Sequence, residues 1–403
     1  MRALESDRGL KVLFRPMKSH IVDLSYFVNL GAIEEKPENE GYCHALEHML
    51  FAGTQNRDWE QINRDWEKIG ADSNAWTGHD KTHYSANCMR SVWEESLEVL
   101  MDILHNPTFP EERWEEIEKP VIISEIQGEQ DDADHELETE TYRHALGEDY
   151  HPIMGSIESI KRATIEDLKL FYNNYYRGDN LVLAIAGDLT EEQVLRAVNR
   201  FDNSNRERPH RKRRPKFKFI NKTLTLKKHL LEQEYLMLLK PVFVPKTRKG
   251  KMALDIAVAC FSQYLFEELR EKRGLCYWVS ASIYDELRAG KSYYLKIRAA
   301  TDVERFKKLE RTVRDCVKNF KQAFDSQRIR NMIMAGKYET LVASERTDEA
   351  TALMWESWLE GTIEGDPYKN QLDILDDLND SYIRRVASRA FQGDMKFGKT
   401  IGK

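Results

Sequence analysis

The chain has 403 residues, a length that favours two domains of about 200 residues each over one large core. Hydrophobic residues make up 41% and charged residues 32%, a composition typical of a soluble globular protein. The formal net charge of -7 and a pI of ≈ 6.0 argue against nucleic acid as the main partner.

Periodic apolar residues predict a mixture of strands and helices in the first half of the chain. Residues 22–28 alternate with period two, which is typical of a half-buried strand, whereas residues 181–187 form a continuous apolar run. The predicted strands are 10–14, 21–31, 73–77, 82–89 and 181–187. The predicted helices are 41–52, 59–69, 93–105, 111–146 and one that begins at 190.

The first predicted helix contains the motif H-x-x-E-H, formed by His44, Glu47 and His48. Two imidazoles four residues apart lie about 6 Å apart along one helix face, so both rings can reach a single cation. Glu47 lies beside them, where it can act as a base toward water. This order of residues is the inverzincin signature of zinc peptidases. The alternative is a pair of helical histidines that make only surface hydrogen bonds.

A catalytic zinc site needs a third protein ligand, a histidine or a carboxylate from another element. The helix predicted at 111–146 supplies Glu118 and Glu125, which are two turns and about 10 Å apart on one face. They are too far apart for both to bind one ion. We expect one to coordinate and the other to orient a ligand or the substrate. Pro120 predicts a kink or a later helix start between them.

The second half of the chain again mixes strands and helices, after a basic segment at 204–218 that we interpret as a solvated linker rather than a nucleic-acid site. Its predicted strands are 235–239, 281–284 and 293–299, with at most a short final strand at 395–403. Its predicted helices are 252–270, 303–323 and 327–343. The pattern predicts an α+β fold in both halves, although no clean sequence repeat is visible.

The motif and its surroundings resemble the pitrilysin/insulinase family of metallopeptidases, which includes the mitochondrial processing peptidase. The family's spacing from the H-x-x-E-H helix to its zinc-binding glutamate falls on Glu125, and its additional acidic residue falls on Glu118. Asn74-Ala75-x-Thr77 resembles the family's substrate-binding edge strand. Residues 270–277 resemble its R-x(6)-Y element. Ala71 and Lys119-Pro120 depart from the family pattern.

The resemblance implies a role for each of these residues. His44, His48 and Glu125 would bind one Zn²⁺ per chain, with Glu47 activating a zinc-bound water. Asn74 and Ala75 would hold the substrate. Catalysis would be assisted by Glu118 and, from the second domain, by Arg270 and Tyr277.

The resemblance also implies the architecture, two related α+β domains that each pack a mostly antiparallel sheet against several helices. The expected boundaries are a zinc-binding catalytic domain at 1–203, the linker at 204–218, and a substrate-binding domain of similar fold at 219–403.

The expected function is a zinc-dependent endopeptidase that hydrolyses short or unfolded peptides inside a closed chamber. Family members of this length form pairs, so we expect a homodimer. The alternative is that this chain is the catalytic half of a heterodimeric peptide-maturation protease, paired with an inactive sister subunit. A non-catalytic structural subunit of the same fold is a further alternative. We expect a cytoplasmic protein without a membrane span, because neither a long apolar run nor a signal peptide is visible and the five cysteines are odd in number and widely spaced.

Overall fold

The computed structural model describes residues 1–210, 212, 215, 217–220, 224–228, 232–285, 293–362 and 365–392, together with the backbone of 396–402. The chain divides into two compact units. The first contains residues 1–126, 151–214 and 341–368, and the second contains 127–150, 215–340 and 369–403. Three of the five residues of the basic run 211–215 lie outside the described residues.

The strands of the described chain are β1 (Arg2–Glu5), β2 (Lys11–Pro16), β3 (Ile21–Val28), β4 (Asp72–Thr77), β5 (Thr82–Met89), β6 (Leu181–Gly187), β7 (Leu224–Lys228), β8 (Gln233–Pro241), β9 (Trp278–Tyr284), β10 (Tyr294–Asp302) and β11 (Lys396–Gly402).

The helices of the described chain are α1 (Tyr42–Leu50), α2 (Trp59–Ile69), α3 (Trp93–His105), α4 (Glu111–Arg113), α5 (Lys119–Asp131), α6 (Ala133–Leu146), α7 (Ile157–Arg162), α8 (Ile165–Tyr175), α9 (Glu191–Phe201), α10 (Arg248–Phe266), α11 (Phe306–Lys318), α12 (Ser326–Glu345), α13 (Thr347–Leu359), α14 (Pro367–Asp377) and α15 (Asp380–Phe391). Two π-helical turns, Trp114–Glu118 and Glu267–Glu271, continue α4 and α10. No helix in these described ranges is long and apolar enough to cross a membrane.

The two sheets share one topology. The order in the first is β1-β2-β6-β3-β5-β4, and in the second it is β7-β11-β8-β10-β9. The first sheet has the additional edge strand β1, which pairs antiparallel with β2. Apart from β1, the first strand of each sheet in chain order runs parallel to the last, β2 to β6 and β7 to β11, and the remaining neighbours are antiparallel. The predicted α+β fold with two related, mostly antiparallel sheets is confirmed.

The sheet of the first unit is apolar on both faces. One face packs against α1, α3 and α8 in the main core, and the other places Phe27 and Val182 against Met354 and Trp355 of α13. The ring centroids of Phe27 and Trp355 stack 4.8 Å apart. A strand that is apolar at every position, as β6 is, must be covered on both sides. Helix α13 provides the second cover.

Helix α6 has the corresponding place in the second unit, where it packs on β8 and β11. The units therefore differ from the expected continuous domains, because 127–150 groups with the second sheet and 341–368 with the first. The prediction of one continuous helix over 111–146 is also wrong, because α5 ends at Asp131 and α6 begins at Ala133. The chain breaks at Asp132, whose carboxylate caps α6 by accepting hydrogen bonds from the N–H groups of Asp134 and His135.

An ion network holds α6 to the second sheet, and we expect its loss to destabilise the protein. Glu138 accepts a hydrogen bond from Lys296 at 2.6 Å and pairs with Arg298 at 2.5 Å, with all three side chains about one-fifth exposed. Glu138→Gln removes the charge that both cations share. We expect the free energy of unfolding, measured by urea denaturation, to fall by about 2 kcal/mol, somewhat less than for a fully buried pair.

A surface pair on the same helix provides the control for this prediction. Glu140 pairs with Arg143, and both side chains are more exposed than those of the network. Glu140→Gln should change the free energy of unfolding by no more than about 0.5 kcal/mol. Equal effects of the two substitutions would contradict a stabilising role for the Glu138 network.

Candidate active site

A glycine directly precedes the helix α1 as its N-cap, and a buried carboxylate from outside the helix accepts hydrogen bonds at the helix start. Gly41 has φ +89°, and a Cβ at this position would meet Met154 O at 2.5 Å, so only glycine fits without strain. The carboxylate of Glu35 accepts hydrogen bonds from the backbone N–H groups of Gly41 and Cys43, both at 2.7 Å. Two free N–H groups of the helix start are thereby satisfied, which fixes the direction of α1.

Three side chains converge beside α1 on one point. His44 Nε2 lies 3.9 Å and His48 Nε2 lies 3.6 Å from Glu125 Oε2, and one ligand atom from each residue lies within 4.8 Å of the other two. Glu125 Oε2 is buried, and within the described ranges it has no hydrogen-bond partner. A buried carboxylate oxygen is costly unless it is paired, so this atom calls for a cation.

The donor set fits zinc. Two imidazole nitrogens and one carboxylate oxygen form the His₂Glu set of catalytic zinc sites, which leaves a further coordination position open. Burial lowers the pKa of His44 to about 3, and His48 acts in the same direction, so the ring of His44 is neutral as a metal ligand must be. The predicted ligands are thus brought together by α1 and α5.

Glu118 lies behind His48 and contacts the ring nitrogen that faces away from Glu125. His48 Nδ1 donates to Glu118 Oε2 at 3.1 Å, which leaves His48 Nε2 on the side of Glu125. Burial alone would lower the pKa of His48, but the hydrogen bond to Glu118 and the charge of Glu125 outweigh it and raise that pKa. A more basic, fixed imidazole is a stronger ligand.

The predicted later helix start at Pro120 is wrong, while the predicted kink stays a prediction. The backbone stays helical from Glu111 to Asp131, with the π-helical turn directly before Lys119 and Pro120 in the first turn of α5. The wider turn accommodates the proline ring, which would collide with a carbonyl one turn earlier in a regular α-helix. Glu118 is consequently well positioned toward α1.

Glu47 points from α1 toward the strand β4. Thr77 Oγ1 donates to Glu47 Oε2 at 2.5 Å. Burial raises the pKa of Glu47, while the hydrogen bond from Thr77 acts in the opposite direction. A carboxylate whose pKa is raised toward neutrality is a better proton acceptor near pH 7 than an ordinary glutamate.

The predicted substrate-binding residues lie on β4, the last strand on its side of the first sheet. Asn74 is exposed and Ala75 is half-buried. The N–H of Ala75 donates to the side-chain oxygen of Asn74 at 2.9 Å. The same edge strand carries Thr77, whose hydroxyl contacts Glu47, so the predicted substrate-binding residues and Glu47 lie near one another.

Arg270 and Tyr277 belong to the second unit. Arg270 lies in the π-helical turn Glu267–Glu271, and its guanidinium lies 5.1 Å from the ring centre of Phe266. Tyr277 directly precedes β9, is half exposed, and donates its hydroxyl to Asp302. Their expected reach to the site of the first unit stays a prediction.

Two family models match the chain. One, described as insulinase (peptidase family M16), matches residues 11–152, and the other, described as the peptidase M16 inactive domain, matches residues 162–335. The chain belongs to the M16 (insulinase) peptidase family. The predicted resemblance is confirmed, and the first of the two models contains every residue of the converging site.

The chain is similar to proteins that are named zinc proteases. The uncharacterized zinc protease YmxG of Bacillus subtilis is 27% identical over 382 residues, which cover 92% of this chain and 90% of the relative. An uncharacterized zinc protease of Rickettsia felis is 30% identical over 267 residues, 64% of each chain. The probable mitochondrial-processing peptidase subunit beta of Arabidopsis thaliana is 33% identical over 197 residues, 48% of this chain and 36% of the relative.

Solved structures share the fold over the whole length of this M16 chain. A protease from Helicobacter pylori superimposes with a TM-score of 0.87 at 17% identity, covering 99% of this chain and 98% of its own. The peptidase M16 inactive domain from Pseudomonas fluorescens superimposes with a TM-score of 0.85 at 18% identity, covering 100% and 98%.

The sequence did not predict three contacts of the site. Thr77 belongs to the edge-strand motif Asn74-Ala75-x-Thr77, but nothing in the sequence indicates the hydrogen bond from its hydroxyl to Glu47. Glu35 caps α1 from outside the helix, so its role has no local signature. Arg113 donates to Glu118 from five residues away, a separation that does not bring side chains together on an α-helix.

Proposed function

We propose that this M16 family member is a zinc-dependent endopeptidase that hydrolyses extended peptides. The observation that carries the proposal is the convergence of His44 and His48 on a buried oxygen of Glu125 that has no hydrogen-bond partner in the described residues. A zinc ion held by these three residues would supply a Lewis acid that polarises a carbonyl and makes water more acidic near neutral pH. The relatives named zinc proteases support the same assignment.

Glu47 is the general base in this proposal. Glu47 lies three residues after His44 on α1, and its half-buried carboxylate accepts a hydrogen bond from Thr77 on β4. It takes the proton from the attacking water and gives it to the leaving amine as the peptide bond breaks. This work suits a carboxylate whose pKa is raised by burial.

The substrate lies along β4 as an added strand. An edge strand offers N–H and C=O groups to an extended peptide, and the N–H of Ala75 is held by a side chain that an incoming carbonyl can replace. Only a short or unfolded peptide has a free strand to offer. Glu47 contacts Thr77 on the same strand, so a peptide bound here runs past the proposed base.

Ala75→Pro tests this mode of binding. Proline removes the backbone donor but is tolerated on an edge strand when its nitrogen faces outward. We expect kcat/KM for unstructured peptides to fall at least about tenfold, the effect of losing one hydrogen bond of roughly 1.4 kcal/mol. Zinc content and melting temperature should stay at the wild-type values. Full activity in the variant would rule out peptide binding through this N–H.

Arg270 and Tyr277 of the second unit complete the proposed machinery, as the resemblance implies. We propose that they contact the substrate in a closed chamber, and that the chain works as a homodimer or with an inactive sister subunit. The relatives named as the beta subunit of mitochondrial-processing peptidase support pairing, since a subunit implies an assembly. The mass of the purified protein by size-exclusion with light scattering distinguishes monomer, homodimer and heterodimer.

A cytoplasmic location is also part of the proposal. All five cysteines are free thiols, as is usual for proteins of a reducing compartment. Fractionation of cells that produce the protein, with detection in the cytoplasmic fraction, is the matching measurement.

The decisive test of the activity uses a panel of unstructured peptides, with and without a zinc chelator. We expect cleavage that stops with the chelator and returns on adding zinc. Cleavage that persists after complete zinc removal would overturn the assignment, and a folded, zinc-loaded protein without turnover would favour the structural-subunit alternative.

A further inference from the structure

The π-helical turn before α5 changes which side chains can meet. On an α-helix, residues five apart point about 140° away from each other, because each residue turns the chain by about 100°. In the turn Trp114–Glu118 the N–H of Lys119 bonds to the carbonyl of Trp114, five residues earlier, so the turn is wider than in an α-helix and each residue rotates the chain by less than 100°. Arg113 and Glu118, five apart, therefore lie on the same side, and Arg113 Nε donates to Glu118 Oε1 at 2.8 Å.

Glu118 is thereby bound at both of its oxygens. Oε1 accepts from Arg113, and Oε2 accepts from His48 Nδ1 at 3.1 Å. The side chain of Glu118 is 11% exposed, so these two donors largely determine where its carboxylate points.

Arg113 is itself fixed on its other side. Its guanidinium lies 4.5 Å from the ring centre of Trp59 on α2, within the range of a cation–π contact. A chain of direct contacts thus runs from Trp59 through Arg113 and Glu118 to His48. Arg113 touches none of the three converging ligands, and the described contacts give it only Glu118 as an ion-pair partner.

We propose that Arg113, brought beside Glu118 by the π-helical turn, is a positioning residue that holds the Glu118 carboxylate where it fixes the His48 ring for metal binding. The inference deepens the proposed function and rests on its zinc site. With Arg113 in place, Glu118 accepts from His48 Nδ1, and the neutral ring keeps Nε2 free on the side of Glu125. Without the guanidinium, Glu118 loses its charged donor and can rotate away from His48.

A double-mutant cycle on the full chain tests whether Arg113 acts through Glu118. The zinc dissociation constant is measured by competition with a chromophoric chelator for Arg113→Met, Glu118→Gln and the combined variant. Loss of an outer partner of a metal-binding histidine typically weakens metal binding 10–100-fold. We expect about that loss for each single variant and no further loss in the combination, because both substitutions break one chain of contacts.

A second measurement follows the His48 ring without zinc or turnover. In chelator-treated protein with ¹⁵N-labelled histidines, measured at a pH alkaline enough for the His48 ring to be neutral, the side-chain nitrogen shifts report which nitrogen carries the proton. We expect wild type to protonate His48 Nδ1, and Arg113→Met to shift the population toward protonated Nε2. Arg113→Lys, which keeps a charged donor, should recover part of both the zinc affinity and the tautomer preference.

The control separates positioning from a general loss of charge. Arg64→Met removes an arginine that pairs with Glu60 on the surface of α2, and it should leave zinc affinity unchanged. If wild type itself fails to bind zinc at His44, His48 and Glu125, the proposed function fails. If wild type binds zinc but Arg113→Met leaves affinity and tautomer unaltered, or if the two losses add in the combined variant, the role of Arg113 is disproved while the zinc site stands.

Discussion

Glu47→Gln should abolish most peptide hydrolysis while the protein keeps its zinc. The amide has nearly the same shape as the carboxylate and can still accept from Thr77, so α1 and its histidines should stay in place. It cannot accept a proton from water. General base catalysis contributes about 10²–10⁴-fold, so kcat should fall by at least about 100-fold. KM should change little, since Glu47 is not part of the proposed peptide-binding edge.

The measurement combines steady-state kinetics on an unstructured peptide with zinc analysis of the same samples. Glu67→Gln on α2 provides the control, because that glutamate is exposed on the surface of the same unit. Its kinetics should match those of wild type. A Glu47→Gln variant with undiminished kcat would exclude this residue as the base, whatever its zinc content.

The second large effect is expected from Glu125→Gln, which should remove the metal. The buried Oε2 atom supplies the negative charge among the three converging ligands, and a neutral amide replaces it with a much weaker donor. Partners outside the ligand set cost up to about 100-fold in affinity, so loss of a direct ligand should exceed that figure. Zinc should be lost on dialysis, and peptide hydrolysis with it.

Glu129→Gln is the matched control, because Glu129 lies one turn further along α5 outside the convergence. Zinc content after dialysis should stay at the wild-type value in this variant. Retention of zinc by Glu125→Gln at wild-type affinity would show that the third ligand is another residue. The outcome differs from that of Glu47→Gln, where zinc stays and only turnover is lost.

Local sequence patterns predicted much of the fold and of the converging site. Helix α3 occupies the predicted residues 93–105, and α1 lies within the predicted 41–52, because apolar spacing and terminal glycines mark such elements directly. The spacing of His44 and His48 on one helix needed no tertiary information. Glu125 required the family resemblance, since its position relative to α1 depends on the whole first unit.

The features that sequence did not reveal depend on contacts distant in the chain or on unusual backbone. The place of α13 on the first sheet is decided by the apolar outer face of β6 and β3, which packs against residues about 170 positions after β6 and about 330 positions after β3. The Arg113–Glu118 pair depends on a π-helical turn, which helical periodicity does not predict. In neither case does the local periodicity of apolar residues predict the feature.

The place of α13 also has a consequence for biosynthesis. The outer face of the first sheet, with Phe27 and Val182, is complete once β6 has been made, but its cover at Met354 and Trp355 is translated much later. At 5–20 residues per second, the ribosome needs roughly 10–30 s to reach it. During that interval a nascent chain carries an uncovered apolar sheet. Premature termination of translation before α13 would therefore yield a product with an exposed apolar sheet face, which holdase chaperones would have to shield from aggregation.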